Sequence, residues 1–259
     1  MTTAQALLLG LLQGFTELLP VSSSGHLALA EQYFGVLIPH GLLGFDVLLH
    51  FGSLLALLLC YAKTWKRILR SPFIGDRAGV RMLMVLVIVT IPAGIAGAMF
   101  GEALDALRSP FALGIGFLLS GIVLLVAERM PGRRPFTALK MWEVICIGIA
   151  QAFALLPSVS RSGMTIAASR AFKLKRHDAV DFAFLMAVPA IAGATLFTAM
   201  KVWNGSAALP SFAVSSAGFL ASFGASIFAV LALRAFVGRF STAWFALYLI
   251  PLGVLLLAR

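Results

Sequence analysis

The stretch that decides the fold of this chain is Gln13-Gly14-Phe15-Thr16-Glu17-Leu18-Leu19-Pro20-Val21-Ser22-Ser23-Ser24-Gly25-His26. It places an acid, a proline, three consecutive hydroxyls, a glycine and an imidazole between apolar runs. Hydrocarbon offers these groups no hydrogen bonds, so at membrane depth they must line a cavity that is walled by protein. The stretch therefore predicts two half-length helices, joined by a polar loop, that form a re-entrant hairpin over roughly residues 3–35.

The same pattern returns 138 positions later, so that Gln13 falls on Gln151. The second copy reads Gln151-Ala152-Phe153-Ala154-Leu155-Leu156-Pro157-Ser158-Val159-Ser160-Arg161-Ser162-Gly163. It carries a guanidinium, whereas the first copy carries an acid and an imidazole. We therefore predict a second re-entrant hairpin over residues 141–172.

The composition indicates a polytopic helical membrane protein, because 61% of the 259 residues are hydrophobic and only 12% are charged. The net charge of +10 does not indicate nucleic-acid binding, since the basic residues fall in short loops between apolar runs. Such loops mark the cytoplasmic side. Both cysteines lie in apolar segments, so no disulfide framework is expected. The first residues lack a basic segment, so we do not expect a cleaved signal peptide.

Six apolar runs are predicted to be full spans: 42–62, 82–100, 111–127, 179–200, 211–233 and 241–258. Pro92 and several glycines are expected to interrupt the second, where Gly97 and Gly101 predict close helix packing. A basic cytoplasmic loop is expected after the first, at Lys63, Lys66 and Arg67.

Each hairpin is then followed by three spans, an odd number that inverts the second unit relative to the first. The predicted fold is an all-α polytopic membrane protein of about ten helices with two inverted repeats, about 1–128 and 141–259, in one integral membrane domain covering 1–259. The two hairpins would enter from opposite faces and meet near the midplane.

Arg161 is the first candidate site residue, because its planar fork matches phosphate oxygens. Ser160, Ser162 and Thr165 would complete a phosphate cradle. The alternative is an ion pair between Arg161 and Glu17 that only locks the hairpins together.

Glu17 is suited to act as a general base or as a ligand to a divalent cation, with Gln13 one helical turn earlier. Gln13 could instead make an ordinary interhelical hydrogen bond. His26 could relay a proton, attack phosphorus or serve only as a hydrogen-bonded side chain.

Three serines, Ser22, Ser23 and Ser24, are candidates for phosphate binding, and one of them for the nucleophile. Helix capping is the alternative and is expected for at least one of them. His50, within the first span, is a candidate for supporting a site residue.

The two motifs, at 13–26 and 157–165, resemble those of the undecaprenyl-diphosphate phosphatase family, which is linked to bacitracin resistance. The stretches 45–54 and 184–189 are also similar to it. The resemblance implies an inner-membrane enzyme that removes the terminal phosphate of a C55 polyprenyl diphosphate, recycling the lipid carrier for peptidoglycan synthesis. It also implies dependence on a divalent cation, Mg²⁺ or Ca²⁺, and an active site open to the periplasm.

The resemblance assigns catalytic roles to Glu17, Ser23, His26 and Arg161, with Ser23, His26 or water as the nucleophile. It assigns diphosphate binding to Ser22, Ser24, Ser160, Ser162 and Thr165, and metal binding to Glu17 with Gln13. This chain departs from the family pattern at Ser158, where glycine is usual, and at Gln13, the amide form of an acidic pair.

A transporter or flippase for an anionic lipid or small anion is the rival hypothesis, since inverted repeats are equally typical of transporters. A membrane scaffold would leave the buried ionisable groups unexplained. The expected partners are the lipid substrate and membrane lipids, with no nucleic acid and with a homodimer left open.

Overall fold

The computed structural model describes residues 1–34, 43–107, 109–203 and 210–258. Residues 35 and 42, at the edges of two predicted segments, lie outside these ranges. The described residues form eleven α-helices and two short 3₁₀ helices, and they include no β-strand. The predicted all-α class is confirmed. The helices are α1 Thr3–Leu18, α2 Ser23–Phe34, α3 Leu43–Cys60, α4 Ala62–Ile74, α5 Arg77–Ala106, α6 Pro110–Glu128, α7 Met141–Phe153, α8 Arg161–Ala171, α9 Arg176–Trp203, α10 Phe212–Val237 and α11 Ala246–Leu257.

Four of these helices, α5, α6, α9 and α10, are long and apolar enough to cross a membrane. A fifth span is present if α3 and α4 count as one segment that bends by 80°. The last apolar segment, Thr242–Leu257, is shorter than the other spans. A multi-pass membrane protein is therefore supported by length and composition.

The break in the first motif lies later in the chain than its polar residues predicted. Helix α1 continues through Gln13 and Glu17 to Leu18, and the chain leaves the helix at Leu19, which is extended (φ −70°, ψ 149°). The physical reason is that Pro20 disfavours the α conformation at the residue before it, whereas the polar side chains of α1 tolerate a helix. The connecting turn is thus only Leu19–Ser22.

Serines cap the helices that follow both turns. The Gly25 amide donates to Ser22 Oγ (3.4 Å) at the start of α2, so the predicted capping role is confirmed there. The Gly163 amide donates to Ser160 Oγ (3.1 Å) at the start of α8. Both caps satisfy backbone donors that the first helical turn leaves unpaired.

The basic cluster after α3 is a helix, not the predicted loop. Helix α4 carries Lys63, Lys66 and Arg67 and buries Trp65 and Ile68 on one face. Charge alone suggested a loop, whereas the apolar residues three positions apart predict an amphipathic helix.

An exposed ion pair closes the connection from α4 to α5. Arg67 Nε lies 2.7 Å from Asp76 Oδ2. This hydrogen bond is the main cause that lowers the pKa of Asp76, with the Gly79 amide next in size.

Two expectations about the second predicted span are wrong. Helix α5 continues without interruption through Pro92 from Arg77 to Ala106. A Cβ at Gly101 would meet no atom within 4 Å, and one at Gly97 would meet only Leu155. These glycines therefore do not mediate close packing. Close helix approach occurs at other glycines, such as Gly14, where a Cβ would collide with the backbone of α10.

Candidate active site

The two broken segments meet at one ion pair. Glu17, on the last turn of α1, contacts through Oε1 the Nη2 atom of Arg161, the first residue of α8. The side chain of Glu17 is only 5% exposed and that of Arg161 is 22% exposed. The carboxylate and the guanidinium that the sequence placed on separate hairpins therefore share one site, as predicted.

The other carboxylate oxygen of Glu17, Oε2, lies close to three further side chains. Oε2 accepts hydrogen bonds from Ser23 Oγ (2.5 Å) and from Gln13 Nε2 (3.0 Å). His50 Nε2 lies 3.6 Å from the same oxygen, and its Nδ1 is 2.8 Å from the Asp46 carbonyl. The carboxylate thus orients the Ser23 hydroxyl through a short, charge-assisted hydrogen bond.

The serines of the second motif tie the two turns together. Ser162 Oγ donates to the Leu19 carbonyl (2.9 Å) and lies 3.2 Å from Ser160 Oγ. The Ser160 amide donates to Ser120 Oγ on α6 (2.8 Å). Both turns are therefore fixed to each other and to α6.

A cavity of about 190 Å³ lies between the turns. Its polar lining comes from both motifs and from α3. These polar residues are Thr16, Glu17, Ser22, Ser23, Ser24, His50, Ser160, Arg161 and Ser162. Seven predicted site residues are therefore brought to one cavity, namely Glu17, Ser22, Ser23, Ser24, Ser160, Arg161 and Ser162.

Two helices begin at this cavity, since Ser23 is the first residue of α2 and Arg161 is the first residue of α8. Helix N-termini carry partial positive charge and free backbone N–H groups, which favour anions. Together with the Arg161 guanidinium they make the cavity suited to a phosphate group. The carboxylate of Glu17 is then the one acidic group on the cavity lining.

Three other predicted residues do not line the cavity. Gln13 is fully buried behind Glu17. Thr165 turns its hydroxyl back to the Arg161 carbonyl on its own helix (2.9 Å).

His26 lies behind the serine turn, in contact with Ser22, Phe117 and Tyr248. Nδ1 is 2.7 Å from the Ser22 carbonyl, and Nε2 is 2.7 Å from the Tyr248 hydroxyl. Its ring also meets Phe117 edge-on. Both ring nitrogens of His26 are therefore engaged away from the cavity.

Sequence reasoning missed Tyr248 entirely and underrated His50. Tyr248 lies in the last apolar helix, 222 positions from His26, and no motif surrounds it. His50 did carry a signal, as an imidazole inside a predicted span, and the structure places it on the cavity lining.

The donors near Glu17 fit a hard divalent cation that shares its ligands with a substrate. Gln13 Oε1 is buried and has no hydrogen-bond partner, and it belongs to the side chain that donates to Glu17. Carboxylate and amide oxygens are the ligands that Mg²⁺ and Ca²⁺ prefer. No group of three or more His, Cys, Asp or Glu occurs in the described residues, so substrate oxygens or water would have to complete the coordination.

Residues 6–255 match the protein family described as Bacitracin resistance protein BacA. This chain belongs to the BacA family. The residues that match the BacA family include both motifs and every residue that lines the cavity.

Similar proteins carry the name undecaprenyl-diphosphatase. One from Gemmatimonas aurantiaca is 37% identical over 267 residues, covering 100% of this chain and 98% of that protein. One from Carboxydothermus hydrogenoformans is 35% identical over 261 residues, covering 99% and 97%. One from Thermodesulfovibrio yellowstonii is 40% identical over 198 residues, covering 76% and 74%. The resemblance predicted from the two motifs is therefore confirmed.

Proposed function

We propose that this chain is an undecaprenyl-diphosphatase that removes the terminal phosphate of undecaprenyl diphosphate and thereby recycles the lipid carrier for cell-wall synthesis. The observation that carries the proposal is the Glu17 carboxylate, which holds the Ser23 hydroxyl at 2.5 Å and contacts Arg161 with its other oxygen. The family and the names of the relatives support the same reaction. They do not favour the transporter hypothesis.

Binding begins with the charge of the diphosphate. Its terminal phosphate enters the cavity between the first turns of α2 and α8, where backbone N–H groups and the hydroxyls of Ser22, Ser24, Ser160 and Ser162 can donate to its oxygens. Arg161 exchanges part of its contact with Glu17 for the phosphate. Its planar fork then stabilises the charge that develops on the equatorial oxygens in the transition state.

Ser23 is the nucleophile in this proposal. Its Oγ attacks the terminal phosphorus while Glu17 takes the hydroxyl proton. The Oγ–P bond forms as the bond from phosphorus to the bridging oxygen breaks, and undecaprenyl phosphate leaves. The departing undecaprenyl phosphate carries away the proton held by Glu17, so that the carboxylate is ionised again. Water then attacks the phosphoserine, and Glu17 takes a proton from that water and returns it to Ser23 Oγ as the Oγ–P bond breaks and inorganic phosphate is released.

The geometry favours Ser23 over the other two candidates for the nucleophile. Ser23 lines the cavity and is hydrogen-bonded to the base. His26 directs its ring nitrogens to Ser22 and Tyr248 instead. Direct attack by water would leave the short bond from Ser23 to Glu17 without a chemical role. His26 is instead assigned to holding the Ser22 carbonyl, and thus the turn before Ser23.

A divalent cation, Mg²⁺ or Ca²⁺, would be held by Glu17 and the unpaired Oε1 of Gln13. When bound, it would offset charge on the diphosphate and assist departure of the bridging oxygen. Gln13 also positions Glu17 through its Nε2 bond, so it contributes to the orientation of the base whether or not a cation is present.

The proposed architecture is a single membrane domain of two inverted repeats, about 1–128 and 141–259, with six spans formed by α3, α5, α6, α9, α10 and α11. Glycines at equivalent positions support the repeat, since Gly10 packs on Gly218 of α10 and Gly148 packs on Val89 of α5. The offset between Gly10 and Gly148 is the same as that between the motifs. The basic residues of α4 would face the cytoplasm, and the cavity would open to the periplasm.

The test is release of inorganic phosphate from undecaprenyl diphosphate by the purified protein in detergent. We expect one phosphate and one undecaprenyl phosphate per substrate consumed. If the protein instead exchanges an anionic lipid across liposomes and releases no phosphate, the proposed function is overturned and the transporter hypothesis takes its place.

A further inference from the structure

An apolar groove of about 430 Å³ lies beside the site and is lined mainly by residues of α5 and α9. This volume falls within the roughly 300–1,000 Å³ of small-molecule sites. The groove and the polar cavity share four lining residues, Ala154, Leu155, Arg161 and Ala194. The groove therefore lies directly beside the polar cavity, and Arg161 borders both spaces.

Small residues on two facing helices form the walls of the groove. They recur at helical spacing on α5 as Ala93, Gly94, Gly97 and Ala98, and on α9 as Ala190, Gly193 and Ala194. Thr90 also lines the groove, and its hydroxyl bonds back to the Leu86 carbonyl (2.7 Å). The walls thus offer an unbranched apolar ligand a wide space with few polar atoms.

The glycines in these walls are not explained by packing within the chain. Among the described residues, a Cβ added to Gly94 or Gly193 would meet no atom within 4 Å, and one at Gly97 would meet only Leu155, at 3.9 Å. Gly10 and Gly14, by contrast, lie directly against the backbone of α10. Gly94 and Gly193 therefore widen the groove and do not serve close contact between helices.

Of the residues that the structure describes, Arg161 is the one charged residue that lines the groove, and it also lines the polar cavity. Besides Arg161, the groove is lined by Gln151, which is 2% exposed. Its Nε2 donates to the Val89 carbonyl (3.2 Å), and its Oε1 is buried without a hydrogen-bond partner. The groove therefore matches a ligand with a polar, anionic head and a long apolar tail.

We infer that the groove between α5 and α9 binds the isoprenoid tail next to the diphosphate, and that Gly94 and Gly193 determine whether a long tail can enter. This inference rests on the proposed function. The head-proximal isoprene units lie between the two helices, and the remainder of the tail extends into the bilayer. Burial of the tail beside Arg161 places the terminal phosphate at Ser23.

The test compares diphosphates of different tail length in detergent: C5 isopentenyl, C15 farnesyl and C55 undecaprenyl diphosphate. The variants are Gly193→Leu and the double variant Gly94→Leu/Gly193→Leu. Gly224→Leu is the matched control, because a Cβ at Gly224 on α10 also meets no atom within 4 Å and Gly224 does not line the groove. We expect all three variants to fold, because a Cβ at Gly94, Gly193 or Gly224 meets no atom of the described residues within 4 Å; a thermal unfolding measurement in detergent checks this.

We expect the groove variants to lower kcat/KM for the C55 substrate by roughly tenfold or more, the scale of steric discrimination in an apolar pocket. The C5 substrate should be hydrolysed at the wild-type rate, and Gly224→Leu should match wild type on every substrate. Equal losses of kcat/KM for the C5 and C55 substrates, or wild-type C55 kinetics in the double variant, would contradict the groove assignment. Neither result would contradict the proposed phosphatase activity. If the wild type hydrolyses none of the three, the proposed function itself fails, and the groove assignment fails with it.

Photolabelling gives a readout that does not depend on turnover. A polyprenyl diphosphate with a photoreactive group on its first isoprene units should label peptides of α5 and α9, and Gly94→Leu/Gly193→Leu should remove that label. Labelling confined to α10 or α11 would contradict the assignment.

Discussion

The carboxylate of Glu17 and the guanidinium of Arg161 are in contact although 144 positions separate them in the chain. Both side chains are largely buried, and an uncompensated buried charge is costly. The contact therefore lets both charges exist before substrate arrives. It also brings to one cavity a carboxylate that is hydrogen-bonded to Ser23 and a guanidinium that is suited to bind phosphate.

Replacement of Ser23 by alanine should lower phosphate release by ~10³-fold or more, because it removes the nucleophile and leaves only binding and charge stabilisation. Ser24→Ala is the control, since the exposed Ser24 contacts Ser22 rather than Glu17, and it should retain activity within about tenfold. Acid-quenched wild-type enzyme given substrate labelled in the terminal phosphate should carry label at Ser23. Full activity in Ser23→Ala would exclude Ser23 as the nucleophile.

Removal of divalent cations with a chelator should abolish turnover, and added Mg²⁺ or Ca²⁺ should restore it. Gln13→Glu should lower the cation concentration that gives half-maximal rate, because it adds a charged oxygen ligand beside Glu17. Gln13→Leu should raise it. Gln151→Leu is the control, since Gln151 occupies the equivalent position of the other motif, and it should leave that concentration unchanged. Unaltered turnover in the presence of the chelator would show that the reaction does not need a divalent cation.

The variants Tyr248→Phe and His26→Ala distinguish the roles of the two hydrogen bonds made by the His26 ring. Tyr248→Phe removes only the Nε2 partner, so we expect a rate loss of about tenfold or less, the scale of one hydrogen bond. His26→Ala also releases the Ser22 carbonyl and should cost more than Tyr248→Phe. Both variants should still form the phosphoserine intermediate. Loss of the Ser23 label in His26→Ala, with the fold intact, would give His26 a direct chemical role.

Much of this site could be predicted from the sequence. Two polar, proline-containing stretches in an apolar chain have few physical solutions, so Glu17, Ser23 and Arg161 were correctly expected to meet. The positions of the breaks were misjudged because polar side chains were treated as loop residues, whereas Pro20 decides where α1 ends. The basic residues of α4 likewise predicted a loop where the structure has a helix.

The other features that the sequence did not predict depend on contacts between helices that are distant in the chain. The side chain of His26 meets Tyr248, which lies 222 positions later in the chain, and no local pattern encodes that neighbour. The spacing of Gly97 and Gly101 predicted close helix packing, which is absent from the described residues, because small residues such as Gly97 can instead line an open groove.

Ser158→Gly should stabilise the protein. Ser158 has a positive φ of 57°, and its hydroxyl is buried without a hydrogen-bond partner. Glycine removes both the left-handed backbone cost, of order 1–2 kcal/mol, and the unsatisfied hydroxyl.

The control is Ser158→Ala, which removes the hydroxyl but keeps the side-chain cost of the left-handed conformation. In thermal unfolding in detergent, Ser158→Gly should therefore have a higher Tm than Ser158→Ala. If Ser158→Gly has the lower Tm, the strain at this turn has been assigned to the wrong residue.

The central claim is that Glu17 and Arg161 act as one unit across the two motifs. The most direct measurement is phosphate release from undecaprenyl diphosphate by Glu17→Gln, Arg161→Gln and the double variant, with Glu128→Gln as the control because Glu128 pairs with Arg176 away from the cavity. The account predicts that each single site variant loses ~10³-fold or more and that the double variant is little worse than either, while Glu128→Gln stays active. Wild-type rates in both single variants, or losses that multiply in the double variant, would contradict it.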